Sequence, residues 1–450
     1  MENTRAIVLE ILLEMERGEA FGSNIIKQVL DKYDYLEAQD KAFIKRLAEG
    51  TLERKIELDY ILNQFSKVPV HKMKPLIRCL MRMSVYQILY MDSVPDAAAC
   101  NEAVRLAEKR KFHTLKGFVN GVLRNISRNK EQIIWPDSEK DWKKALSVKA
   151  SMPEIILDIW EKDYGKTQTI RQTESLLQIK PVCVRMDENL SEEEKLSLLK
   201  EWDQTGICYQ KSDYLPYAYT CSKLNGVKEL PGFLEGKVTV QDVSSMLVTE
   251  CAGIRKEMTI LDVCAAPGGK SMHAAAKLRG TGLVESRDVS LSKTDFIREN
   301  MDRMGLTNMV TKVWDARETD DTWIRKADIV YLDVPCSGLG ILGKKRDIKY
   351  NVTEESLQEI LELQKKIVSA SVAYVKPGGI LMYSTCTIRK DENQNMAEWI
   401  TKEFDFVLES LDAFLPKNLQ NEETAGGMLQ LFPDKHGCDG FFMARLRRKG

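Results

Sequence analysis

From residue 258 to residue 385 the chain alternates short apolar runs with helical stretches, which restricts its fold class more than any other property of the sequence. Apolar runs lie at 259–264, 282–288, 310–315, 328–333 and 379–384, and three of them end in a carboxylate: Asp288, Asp315 and Asp333. Parallel strands cannot be joined by a tight hairpin, so this alternation predicts an α/β, Rossmann-like parallel sheet wrapped by crossover helices. In such sheets ligands bind beyond the carboxyl ends of the strands. The chemistry is therefore to be sought where the runs stop.

The first run feeds the turn Cys264-Ala265-Ala266-Pro267-Gly268-Gly269-Lys270-Ser271, which opens a helix. Small residues and two glycines admit a ligand close to the backbone, and the free amides of a helix start suit an electronegative group. A phosphate-binding loop needs a glycine where Cys264 stands, and a dinucleotide GxGxxG is absent, so nucleotide triphosphate chemistry is disfavoured. Asp288 ends the next run, where a carboxylate accepts hydrogen bonds from both ribose hydroxyls of an adenosine. Asp315 is a candidate for the exocyclic amine of the adenine. An adenosine without a polyphosphate is implied, and S-adenosylmethionine, with its positive sulfonium, fits best.

The fourth run ends Asp333-Val334-Pro335-Cys336-Ser337-Gly338 and the fifth ends Ser384-Thr385-Cys386-Thr387, so two thiols face one crevice. Methylating an exocyclic amine needs no covalent catalysis. Carbon 5 of a pyrimidine is different: it becomes nucleophilic only after a thiolate adds to carbon 6, and a second acid/base group then assists elimination. A free thiol with a pKa near roughly 8.5 is little ionised at neutral pH, and Lys270 is a candidate to lower that value. Asp333, which stands at both the cofactor and substrate sides, is suited to bind N3 and the amine of cytosine.

These motifs together resemble the RNA cytosine-C5 methyltransferases. The resemblance makes Cys386 the nucleophile and Cys336 the residue that helps to release the product, and it places S-adenosylmethionine on the 264–270 loop, Asp288 and Asp333. It extends further, to Leu80-Met81-Arg82-Met83-Ser84-Val85-Tyr86-Gln87, Val94-Pro95, Asn101-Glu102-Ala103-Val104 and Gly117-Phe118-Val119-Asn120-Gly121-Val122-Leu123-Arg124, which look like a NusB-like RNA-binding domain. Gln241-Asp242-Val243-Ser244-Ser245 and Asp439-Gly440-Phe441-Phe442 also match the family. The implied substrate is one cytosine of 16S ribosomal RNA, free or in a partly assembled small subunit. Lys344-Lys345-Arg346-Asp347-Ile348-Lys349-Tyr350 departs from the pattern, with Arg346 where the family has Pro and Tyr350 where Trp is common. Its cations suit a phosphate-lined RNA groove or a solvated loop.

Apolar residues at three- and four-residue spacing mark the first third as a helical bundle, ended by the linker Trp135-Pro136-Asp137-Ser138. Between it and the sheet, a strand at 182–185, a capped helix at 191–202 and a strand at 238–240 predict a small α+β unit. The expected domains are 1–138, NusB-like; 145–240, α+β; and 241–450, catalytic. The net charge of −1 conceals thirteen Lys/Arg against four Asp/Glu within 61–130, either a phosphate-binding surface or a solvated helical face. The ten scattered Cys and four His form no metal-ligand spacing, and no metal is expected. No apolar stretch reaches bilayer length, and Glu10, Glu14 and Glu16 interrupt the N-terminal apolar segment, so a cytoplasmic location is expected; a monomer is expected as well. Two other classes stay open: a methyltransferase of transfer RNA or another ribosomal site, and a non-catalytic RNA-binding or assembly factor.

Overall fold

The described residues of the first third of the chain form helices and their connections in the computed structural model, which describes residues 3–17, 22–33, 35–178, 180–224 and 226–450. Its helices are α1 (Thr4–Arg17), α2 (Gly22–Lys32), α3 (Ala38–Glu53), α4 (Lys55–Phe65), α5 (Pro75–Tyr90), α6 (Asp96–Lys109), α7 (Lys116–Arg128), α8 (Trp142–Ala150) and α9 (Glu154–Ser175). Helix α5 starts with Pro at its first turn, where a missing N–H costs nothing, and is buried along most of its length by the helices around it. Pro95 caps α6, so the predicted stop at Val94-Pro95 separates these two helices.

The chain divides into two compact units, Met1–Leu177 with Leu342–Val352, and Gln178–Ile341 with Thr353–Gly450. The helical unit thus runs beyond 138. Helices α8 and α9 bury Leu146, Val148, Ile156, Leu157 and Trp160, and Ser151 Oγ accepts the Glu57 N–H at 2.9 Å, so both join it rather than the α+β unit expected at 145–240. The segment 135–138, expected as the linker that ends the helical region, lies inside this unit between helices, and its first residue, Trp135, stacks on Tyr60.

Of the thirteen cations within 61–130, Arg78, Arg82, Arg105, Arg110, Lys116 and Lys130 are paired with carboxylates. Lys67, Lys72, Lys74, Lys109, Lys111, Arg124 and Arg128 have no ion-pair partner among the described residues and keep the excess positive charge. Arg82 is the buried member: its NH1 donates to Glu16 at 2.6 Å, while Nε and NH2 grip Asp59 at 2.6 and 2.7 Å. Substituting Met for Arg82 is expected to cost about 2 kcal/mol in urea denaturation, discounted from the ~3–5 of a fully buried pair because both carboxylates keep some water contact. Burial raises the Glu16 carboxyl, but Arg78 and Arg82 more than offset this and hold it below 4.5. The stability it contributes is present above that pH and is lost as the pH falls through the lower folded value.

Segment Leu342–Val352 packs within the helical unit although it follows Cys336 in sequence. Arg346 pairs with Glu49 at 2.8 Å, Lys349 Nζ donates to the Glu53 carbonyl at 2.9 Å, and Tyr350 OH donates to the same carbonyl at 2.9 Å. Burial pulls the Lys349 ammonium down to about 8. Arg346 and Lys349 are therefore committed to the end of α3 and not to a phosphate-lined groove, because an unfilled helix C-terminus draws cations and donors. Lys344 and Lys345 stay exposed.

The second unit starts with an antiparallel sheet of order β2-β3-β1-β4, formed by β1 (Val182–Met186), β2 (Cys208–Lys211), β3 (Ala218–Ser222) and β4 (Val238–Val240). Helix α10 (Glu192–Gln204) covers it with Leu198 and Trp202 and opens with the predicted capping box of Ser191 and Glu194.

The large sheet has the order β10-β12-β9-β8-β5-β6-β7, with β11 beside β12. Its strands are β5 (Thr259–Asp262), β6 (Leu283–Asp288), β7 (Met309–Val313), β8 (Ala327–Asp333), β9 (Val375–Thr385), β10 (Phe406–Leu408), β11 (Met428–Leu431) and β12 (Phe441–Arg448). Strands β5 to β9 pair in parallel as expected, and antiparallel β12 is wedged between β9 and β10. Alternate residues supply two cores: Ile260 faces α11 (Val243–Cys251) and α12 (Gly269–Leu278), and Leu261 faces α14 (Glu354–Ser371) and α15 (Gln394–Glu403). The chain runs outward from β5 in both directions, leaving a crevice at the β5/β8 switch point. Among the described residues no helix is long and apolar enough to cross a membrane.

Candidate active site

The crevice is built from the four turns that follow β5, β6, β8 and β9. After β5, Ala265 N–H donates to the Arg287 carbonyl at 2.8 Å and Ala266 N–H to Asp288 Oδ2 at 3.1 Å, so the small-residue turn is stitched to the end of β6. Gly268 adopts φ +98°, which only glycine takes without strain, and this bend aims the first amides of α12 into the crevice. Asp288 also accepts from Val289 N–H at 2.8 Å and from Lys293 Nζ at 3.0 Å, an anchored carboxylate with lone pairs to spare. Burial pushes the Cys264 thiol well above its ordinary range, so this cysteine stays protonated within the turn.

Asp315 lies two residues past the end of β7 rather than on it. Arg317 grips its carboxylate in a fork, with NH2 at 2.5 Å, and holds it below the usual carboxylate range. The Trp314 N–H donates to the Asp288 carbonyl at 3.0 Å, tying this turn to the next strand.

At the switch point, Lys270 Nζ donates to Asp333 Oδ2 at 2.6 Å, and Ser384 Oγ donates to Oδ1 at 2.8 Å. The positive charge expected to act on a thiol is thus directed at a carboxylate, which attracts it more strongly than a neutral sulfur. The two thiols meet each other instead, with Cys336 Sγ and Cys386 Sγ 3.0 Å apart and both free of disulfides. The hydrogen bond to Cys386, together with burial, holds the Cys336 thiol well above 9.0. Such a pair suits a nucleophile beside a proton-bearing partner.

Several residues around these turns escaped sequence reading. Asp262, buried at the end of β5, accepts from Ser271 Oγ at 2.6 Å, and burial pushes its carboxyl up to about 7. Its place at the end of an apolar run was a usable signal. Gln364, Glu392 and Asn393 carried none, since their partners are brought in by other elements. On α12 itself, His273 Nε2 lies 3.0 Å from Glu188, while Lys277 bridges Glu188 and Glu250 at 3.1 and 2.8 Å, a cation already in place between the carboxylates.

The donor set fits S-adenosylmethionine. Helix-start amides, a backbone that small residues leave open, and the carboxylates Asp288 and Asp333 complement an adenosine carrying positive charge.

Comparison with known proteins agrees with this geometry. A family model described as 16S rRNA methyltransferase RsmB/F matches residues 252–447, and a NusB family model matches residues 2–128. The chain is 35% identical to the probable ribosomal RNA small subunit methyltransferase B of Bacillus subtilis (strain 168), over 100% of this chain and 99% of that protein. It is 31% identical to the protein of the same description in Synechocystis sp., over 100% of both. The crystal structure of PH0851 shares the fold across 100% of this chain and 99% of its own, with a TM-score of 0.81 at 22% identity. That of NSun6 from Pyrococcus horikoshii with SFG covers 66% of this chain and 98% of its own, with a TM-score of 0.58 at 20% identity. With end-to-end identity above 30% joined to both family matches, the chain belongs to the RsmB/F family of S-adenosylmethionine-dependent 16S ribosomal RNA methyltransferases, with a NusB domain at its N-terminus.

Proposed function

We propose that this protein methylates carbon 5 of a single cytosine in 16S ribosomal RNA, the family site at cytosine 967, through a temporary bond between Cys386 and carbon 6 of the base. The observation that carries this reading is the contact of two free thiols at neighbouring strand ends. S-adenosylmethionine, when bound, supplies an electrophilic methyl group on a positively charged sulfur. Asp288 and the 264–270 turn would hold its adenosine, and Asp315 would meet the adenine amine while still bound to Arg317.

The target base is buried in any duplex, so it enters unpaired or flipped. Asp333, pinned by Lys270 and Ser384, accepts from the exocyclic amine beside N3 and selects cytosine over uracil. The Cys386 sulfur adds its electron pair to carbon 6, which makes carbon 5 nucleophilic. Cys336 donates its S–H to the neighbouring sulfur and favours the thiolate before attack. After methylation the hydrogen on carbon 5 leaves as a proton to water, the carbon–sulfur bond breaks, and its electron pair returns to Cys386, whose departing sulfur Cys336 assists by donating its S–H. The proposed division of labour is the helical unit and the small antiparallel sheet for positioning RNA and 241–450 for chemistry, in a cytoplasmic monomer.

Bisulfite sequencing of 16S ribosomal RNA from a deletion strain tests the reading. Loss of protection at one cytosine, restored by the gene, is the expected result; unchanged protection everywhere refutes it. Asp288→Ala is expected to weaken S-adenosylmethionine binding by roughly tenfold to a hundredfold in calorimetry, the worth of hydrogen bonds to a charged acceptor.

A further inference from the structure

The two cysteines are held at contact by a buried polar pair that lies outside both motifs. Glu392 and Asn393 are consecutive, fully buried, and follow the Thr385-Cys386-Thr387 turn. Glu392 Oε2 accepts the Ser337 N–H at 2.9 Å and Gln364 Nε2 at 3.0 Å, and the same Gln364 Nε2 donates to the Pro335 carbonyl at 2.9 Å. The backbone on either side of Cys336 is thereby fixed. Asn393 does the same for Cys386: its Nδ2 donates to the Thr387 carbonyl at 3.0 Å and its Oδ1 accepts from Thr385 Oγ1 at 2.5 Å. Tyr383 OH donates to the Glu392 carbonyl at 2.6 Å and Asn393 Nδ2 to Gln430 Oε1 at 2.8 Å, so the pair is itself anchored to β9 and β11.

We propose that Glu392 and Asn393 are positioning residues that divide the two thiols between them, Glu392 setting the Cys336 turn for product release and Asn393 setting the Cys386 turn for attack. This rests on the roles given to the cysteines under the proposed function. Since neither residue touches the reacting atoms, each acts through the peptide groups that flank a sulfur, where an error of about 1 Å costs on the order of a hundredfold. The buried acceptor at Ser337 N–H is what matters at position 392, because an unfilled buried donor is expensive, whereas the charge is already disfavoured by burial.

The test measures, in the full chain with S-adenosylmethionine and a 16S RNA transcript, both turnover and the fraction of protein in a denaturant-resistant RNA adduct. Glu392→Ala is expected to lower turnover by roughly tenfold or more while raising the adduct fraction. Asn393→Ala is expected to lower both. Glu392→Gln, which keeps an acceptor oxygen, recovers most of the turnover that alanine removes. Should Glu392→Ala not fold, Gln364→Ala loosens the same turn through Pro335 and raises the adduct fraction likewise. A parallel fall of turnover and adduct in the variants at both positions, or a glutamine no better than alanine, overturns the proposal by showing a merely structural role. Cys336→Ala serves as the reference: if it accumulates no adduct, the cysteine roles themselves are wrong and the division of labour falls with them.

Discussion

Replacing Cys386 by alanine is expected to suppress methyl transfer by roughly 10⁴-fold or more, the scale on which removal of a covalent nucleophile disables an enzyme. In the proposed mechanism carbon 5 of cytosine becomes nucleophilic only through the bond to Cys386. Cys336→Ala is expected to lower turnover by about 10²–10⁴-fold, the range of a lost general acid/base, and to leave RNA bonded to the protein. The two variants therefore separate on a denaturing gel after incubation with RNA and cofactor: Cys336→Ala migrates as a protein–RNA adduct and Cys386→Ala does not. The opposite pattern reverses the two roles.

The second large effect is expected at a residue with no functional side chain. Gly340 N–H donates to the Cys386 carbonyl at 3.0 Å, and the Gly340 carbonyl accepts from Gly440 N–H at 2.9 Å. The chain after Cys336, the chain at Cys386 and the start of β12 thus meet backbone to backbone. A methyl group on Gly340 would lie far inside the van der Waals radius of the Gly440 carbonyl and 2.9 Å from the Cys386 carbonyl oxygen. Backbone cannot rotate away as a side chain can. Gly340→Ala is expected to cost about 3 kcal/mol, at the upper end of overpacking penalties, read from urea denaturation. The displacement reaches Cys386, so activity under folding conditions is expected to fall by about a hundredfold while S-adenosylmethionine binding at Asp288 persists. A loss of both in proportion to unfolding would contradict this.

How far the sequence could be read depends on how local each signal is. The sheet was legible because apolar runs and their spacing are properties of adjacent residues, and the turn at 264–270, Asp288, Asp333, Cys336 and Cys386 were legible because each stands where such a run ends. The helical first third was legible for the same reason, down to the stop at Val94-Pro95. Strand β12 was hidden, since only its motif at 439–442 stood out and nothing local says that it inserts between β9 and β10. Asp262 was passed over at a strand end of its own.

Periodicity and turn chemistry alone therefore determined the elements, the edge of the sheet that carries chemistry, and the residue types available there. Folding decided which of them meet. Lys270 finds Asp333 across 63 residues, Gln364 finds Glu392 across 28, and Arg346 finds Glu49 across 297. Those meetings depend on strand order and on which helix end needs a donor, quantities set by packing over the whole unit. A hydrogen bond is formed with whatever lies within about 3 Å, and no pattern along the chain encodes that distance.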